Sequence, residues 1–413
     1  MNTFTFIFLS VLGLTLLTQL WLERRQIGHV RARRGAVPAA FKGRVPLKAH
    51  KKAADYAVAR ARFTQAGYIL DAALLCAWTV GGGLEWLDRF WRGFDLSATP
   101  TGAAFMLSAF FVMGVLDIPA AAYQTFMLEG RFGFNRTTPR LFALDLGKKA
   151  ALLGILGAPV IITALWLMSA TGAWWWIHVW LLWLGFSLFV VWAYPALIAP
   201  LFNRFTPLKQ GPIRRRVRAL LARVGFRSRG IYVMDGSRRS LRGNAYFSGF
   251  GRSKRIVFFD TLLRTLNVGE IVAVLAHELG HFKRGHVRQR FLLSSGMSLA
   301  GLALLGWLIS QPWFYTGLGM SRPSAHAALM LFLLVGPVFA FFLQPLLAWA
   351  ARRHEYEADE FAARAASARD LIAALGKLYK GNASTLTPDP LHSAFYDSHP
   401  PAVRRIARLA GRI

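Results

Sequence analysis

The apolar positions of this chain fall in long blocks rather than in the short alternations of a soluble domain. Seven such blocks, 4–22, 66–86, 101–127, 150–170, 176–202, 291–311 and 325–350, are each long enough to cross a bilayer. A spanning helix needs roughly 20 apolar residues for ~30 Å of hydrocarbon. Between the fifth and sixth blocks the pattern changes. Residues 231–235, 244–250 and 255–259 read as short strands separated by basic, Gly-containing turns. An amphipathic helix follows from Asn267, which stands three residues before Glu270 in a capping-box pattern. The expected fold is mainly α, a polytopic membrane protein with seven transmembrane helices and a small α+β unit. Four segments result: a five-span region 1–202, the unit 203–290, a two-span hairpin 291–350 and a C-terminal segment 351–413.

Composition supports the membrane reading, since 54% of the 413 residues are hydrophobic and only 17% charged. Mean hydropathy is +0.36. The first block could be a signal peptide, but no basic stretch precedes it and Leu22-Glu23-Arg24-Arg25 is no small-residue cleavage site. Lys and Arg are dense from Arg24 to Arg62, and charge of that density stays on the cytoplasmic side. The N-terminus is therefore expected outside, with 128–149, 203–290 and 351–413 inside. Those segments are also basic, whereas 87–100, 171–175 and 312–324 are short and poor in Lys and Arg. A net charge of +30 without a nucleic-acid motif points to this pattern and to anionic lipid head groups, not to nucleic acid. The single Cys76 excludes an intrachain disulfide. Asp71 and Asp117 fall inside apolar blocks, where a carboxylate is expected to face a cavity or a cationic partner.

The chemistry concentrates in His277-Glu278-Leu279-Gly280-His281. On a helix the two histidines share one face, about 6 Å apart along the axis at roughly 1.5 Å per residue. Imidazoles so placed can share one Zn²⁺, and Glu278 can reach a water on the metal as general base. The alternative is a chance match on a surface helix. A third ligand is required. The hairpin of the last two blocks returns the chain to the same membrane face, delivering Glu355-Tyr356-Glu357-Ala358-Asp359. Glu355 and Asp359 are one helical turn apart, so one can ligate while the other orients a ligand imidazole. A surface helix with i,i+4 ion pairs is the rival reading. The strands before the helix suit a peptidase, because a sheet edge can hold an extended peptide across the metal.

The run His277–His286, the cluster Glu355–Asp359 and the stretch Asn244-Ala245-Tyr246-Phe247 resemble the type I CAAX prenyl endopeptidases. These are integral-membrane gluzincins with seven spans. Residues 199–208, 389–395 and 398–401 fit the same pattern, and the similarity runs from 129–135 almost to the C-terminus. The resemblance implies His277, His281 and Glu355 as ligands of one zinc ion per chain and Glu278 as general base. It implies Asp359 as the support of a ligand histidine, and His399 and Arg405 as residues steadying the substrate carbonyl. Asn244, Ala245 and Tyr246 match the strand that binds peptide, and a chamber among the spans would accommodate Asp71 and Asp117. The implied partners are a prenylated peptide or protein and the lipid bilayer, with a zincin-like domain at the cytoplasmic face.

The Arg- and Ala-rich composition, without an endoplasmic-reticulum retrieval signal, points to a bacterial inner membrane, where native prenylated substrates are not expected. Competing readings are a membrane quality-control protease of the same clan and a site-2 type intramembrane protease. A zinc transporter or scaffold is the reading from another class. Lys283, Arg284 and Arg288 close behind the motif oppose the intramembrane type, and ligands gathered at one membrane face oppose the transporter.

Overall fold

Among the described residues there are two large hydrophobic cores, one among long apolar helices and one around a small sheet, and a smaller cluster around Tyr56, Phe132 and Phe134. The computed structural model describes residues 2–248 and 254–412. Among the described residues, six helical stretches are long and apolar enough to span a membrane. They are Thr3–Ala32, Ala98–Arg131, Pro139–Ala170, Gly172–Phe202, His286–Leu308 and Ala325–Ala365. A bent pair, Leu47–Trp78 and Gly83–Arg92, meeting at 44°, makes a seventh candidate when the two helices are taken together as one span.

That bend corrects the continuous block expected at 66–86. The helix stops at Trp78, and Gly82 takes a left-handed φ of +81° that favours glycine. The following short helix is amphipathic and buries Asp88, which pairs with His326 at 2.6 Å and Arg92 at 2.7 Å. A hydropathy window does not register three consecutive glycines as a break. The first helix, in turn, continues well past its apolar block and packs along Leu47–Trp78.

The sheet has four strands, β1 (Phe205–Pro207), β2 (Gly230–Met234), β3 (Ala245–Ser248) and β4 (Arg255–Phe259), in the order β1-β2-β4-β3. Its central pair β2–β4 is parallel, with Ile231 opposite Ile256, and both outer pairs are antiparallel. β1 was not anticipated. β3 occupies an edge. Residues 249–250 of the expected second strand lie outside the described residues.

Beneath the sheet, Phe258, Ile271, Leu275 and Leu279 pack with Leu371, Ile372, Ile406 and Leu409 in one core. Segments 203–290 and 351–413 are thus a single packed unit, although two spans separate them in sequence. The membrane core gathers Phe8, Leu84, Phe105, Leu305, Tyr315 and Met330. Between helices lies a cavity of about 420 Å³ lined in part by Asp71, Asp117, Gln19 and Gln344. Another, of about 550 Å³, is walled by the first two helices and by residues 382–401, His399 among them.

Candidate active site

The helix Val268–Lys283 starts on the cap its sequence encodes. Glu270 N–H donates to Asn267 Oδ1 at 2.9 Å, and Asn267 N–H donates to Glu270 Oε2 at 2.8 Å. Lys377 ties the same carboxylate to the C-terminal segment at 2.8 Å. Ile271, Leu275 and Leu279 bury one face, which leaves His277 and His281 together on another, their Nε2 atoms 3.3 Å apart. The helix ends before Gly285, whose φ of +70° turns the chain into the sixth span at His286.

Against it lies the returning helix Gln344–Ala365. Gly280 makes the approach possible, because a Cβ there would stand 2.9 Å from Ala358 Cα. One turn away, Glu355 Oε2 sits 3.3 Å from His277 Nε2 and Oε1 sits 3.2 Å from His281 Nε2. Ligand atoms of His277, His281 and Glu355 all lie within 4.8 Å of one another. Glu355 Oε2 is buried without a hydrogen bond, and two basic nitrogens face each other beside it. A buried polar atom left unpartnered is costly, and a shared cation relieves it. Two imidazole nitrogens and one carboxylate match the donor set of a hydrolytic zinc site with its fourth position open. The residues fit zinc.

Each imidazole is held from behind. Asp359 Oδ1 lies 2.9 Å from His277 Nδ1, so that ring keeps its proton on Nδ1 and aims Nε2 at the cluster. Arg405 is buried and grips Asp359 with two donors, Nε at 2.8 Å and Nη2 at 2.6 Å. Its Nη1 stands 3.8 Å from Glu355 Oε2. Most of that guanidinium is therefore committed to Asp359 rather than free for a substrate oxygen. His281 Nδ1 meets His286 Nδ1 at 3.0 Å, and His286 Nε2 meets Glu357 Oε2 at 3.1 Å. His286 is fully buried and stacks on His354 at 4.1 Å between ring centres. Neither His286 nor Glu357 was assigned this supporting role from the sequence. The available signal was a histidine five residues past His281, opposite the acidic cluster.

Burial works to lower the His277 pKa, but hydrogen bonds to Asp359 and Glu355 outweigh it and raise it to about 9. Burial raises the Glu278 carboxyl above the usual range, despite the nearby imidazoles that favour its charged form. His399 opens onto the 550 Å³ cavity with its Nε2 3.3 Å from Glu355 Oε1. Loss of solvation pushes its imidazole below the ordinary value, which keeps it neutral near pH 7.

The edge strand also takes shape. Asn244 C=O accepts Phe259 N–H at 3.0 Å, so strand alternation turns the backbone of Ala245 and Phe247 towards the outer edge of the sheet, where no described strand pairs with them. Asn244 and Tyr246 direct their backbones at β4 instead. Asn244 Oδ1 accepts the Ala245 N–H at 2.8 Å, and the Tyr246 ring packs edge-on against Phe259.

Known proteins match along the whole chain. Residues 26–204 fit the family described as CAAX prenyl protease N-terminal, five membrane helices, and 207–413 fit peptidase family M48. The CAAX prenyl protease 1 homolog of Arabidopsis thaliana is 36% identical over 300 residues, covering 72% of this chain and 70% of that protein. The probable CAAX prenyl protease 1 of Schizosaccharomyces pombe is 32% identical, covering 94% and 84%. The crystal structure of S. mikatae Ste24p superposes with a TM-score of 0.90 at 26% identity, covering 99% of both chains. Sequence models, relatives and fold point the same way, and this chain belongs to the CAAX prenyl protease 1 family of membrane-embedded M48 zinc metalloproteases.

Proposed function

We propose that the chain hydrolyses the peptide bond following a prenylated cysteine and releases the last three residues of its substrate. The observation that carries this reading is the convergence of His277, His281 and Glu355 where two spans end, next to a unit with an open strand edge. Similarity to CAAX prenyl proteases over 94% of the chain supports the substrate class.

His277, His281 and Glu355 would hold one zinc ion per chain, which supplies Lewis acidity that acidifies water and polarises a carbonyl. Glu278 takes the proton of the attacking water and passes it to the leaving amine. Its raised pKa suits both transfers. Asp359, held by Arg405, keeps His277 in register, and His286 with Glu357 does the same for His281. These are positioning residues. His399, neutral and facing the cavity, donates a hydrogen bond to the carbonyl oxygen as negative charge builds there. The substrate backbone pairs with Ala245 and Phe247 at the edge of β3. Its lipid partitions into the bilayer, each buried CH₂ adding about 0.8 kcal/mol. Basic loops support a site at the cytoplasmic face of a bacterial inner membrane, with the N-terminus outside.

Incubating the zinc-loaded protein with a peptide ending in a farnesylated Cys and three further residues tests this, with the products read by mass spectrometry. The expected product is the free tripeptide. Cleavage of unmodified membrane proteins without cleavage of that peptide would assign a quality-control role instead.

A further inference from the structure

A cavity of about 870 Å³ opens on the far side of Pro388 and Pro401 from the one that His399 faces. Its walls are the end of the first helix, the returning helix Gln344–Ala365 and the C-terminal helix Ala402–Ala410. Five guanidinium groups line it, from Arg33, Arg352, Arg353, Arg404 and Arg408, against the single carboxylate of Glu357. Arg352 spends one Nη on the carbonyls of Ser393, Ala394 and Asp397, and Arg353 lies 3.6 Å from Glu357. Among the described residues, Arg33, Arg404 and Arg408 have no carboxylate within ion-pair distance. Arg408 is held over the Tyr356 ring at 4.8 Å, which keeps its guanidinium at the cavity. So many unbalanced cations in one concavity repel each other unless an anion joins them.

The depth of the cavity says which anion. The last apolar block ends at residue 350, and Trp349, itself a wall residue, is 60% exposed, as expected of an interfacial aromatic. Arg352 and Arg353 follow within one helical turn, about 5 Å further on at roughly 1.5 Å per residue. The head-group layer of a leaflet is itself about 5–7 Å thick. The cluster therefore begins at phosphate level, with an aromatic ring below it at the edge of the hydrocarbon. Guanidinium forks match phosphate oxygens in pairs, and acyl chains would descend beside Trp349.

We propose that this cavity binds the phosphate head group of an anionic phospholipid, a site separate from the zinc cluster. Two of the three helices that wall it also carry the Asp359–Arg405 pair, and Glu357, which backs His286, is itself a wall residue.

Native mass spectrometry of the full-length protein in detergent, titrated with phosphatidylglycerol or phosphatidylcholine, tests the assignment. Wild type should retain phosphatidylglycerol selectively. Arg404→Gln/Arg408→Gln should bind it about 30-fold more weakly, at about fivefold per cation near a membrane surface. Arg33→Gln/Arg353→Gln removes two cations from the other walls and should weaken it similarly, so the test does not hang on one variant. Arg215→Gln/Arg216→Gln removes the same charge from exposed positions outside the cavity and should leave binding intact. Equal losses in all three double variants, or no preference for the anionic lipid, would overturn the site. Equally tight binding of soluble glycerol 3-phosphate would overturn the lipid assignment in favour of a soluble phosphate.

Discussion

Gly280 and Ala358 meet so closely that a single added methyl on Gly280 would fall 2.9 Å from the Ala358 Cα. Backbone, not a flexible side chain, stands in the way, so the two helices must separate to admit it. Glu355 is one turn from Ala358 and moves with that helix. Gly280→Ala is expected to destabilise the fold by about 1–3 kcal/mol, as overpacking does. It should also weaken zinc binding, because the Glu355 oxygens retreat from the histidines. Zinc titration and thermal unfolding measure both, and a variant with unchanged zinc affinity would show that the ligands tolerate the separation.

Glu278→Gln should keep zinc and lose turnover. The amide cannot accept a proton, while all three ligands remain. A general base contributes about 10²–10⁴-fold, so retention of more than about a hundredth of wild-type activity would remove Glu278 from that role.

Ligand and support should separate in a zinc-affinity series. Glu355→Ala removes one of three protein donors and should leave the purified protein without stoichiometric zinc. Asp359→Ala should weaken affinity by about 10–100-fold, as loss of a partner behind a ligand imidazole does. His286→Leu should fall in the same range. His286→Asn should recover part of the loss, since its Oδ1 can accept the His281 Nδ1–H. Equal effects of Leu and Asn would make the contribution of His286 packing alone.

Zinc affinity should depend on pH with a definite sign. In the metal-free protein the His277 imidazole carries a proton up to about pH 9, and zinc must displace it. Apparent affinity therefore rises with pH, by about tenfold per unit for one displaced proton, and levels off above about 9. The stability that this charged imidazole lends the metal-free fold runs the other way. It is complete below the ordinary value of 6.5 and is lost as pH rises through about 9. Isothermal titration in buffers of different ionisation enthalpy counts the protons, and a flat profile between pH 7 and 9 would contradict the raised pKa.

What the sequence determined by itself was whatever depends on near neighbours or on apolar length. The Asn267–Glu270 cap, the i,i+4 placement of His277 and His281 and most membrane-spanning segments follow from periodicity and propensity over a few turns. Glu355 was legible too, because a two-span hairpin returns the chain to the face it left. Tertiary structure decided the rest. The break at Gly82 lies in a backbone dihedral and in the Asp88–His326 pair, neither of which an apolar block displays. β1 spans three residues, too few for alternation, and exists because β2 offers it an edge. The Gly280–Ala358 approach, the His281–His286–Glu357 chain and the grip of Arg405 on Asp359 each join residues from separate elements. Their chemistry is ordinary in isolation. Only when residues 203–290 and 351–413 close into one core do these groups come within hydrogen-bonding distance, because burial of apolar surface from both segments brings them there.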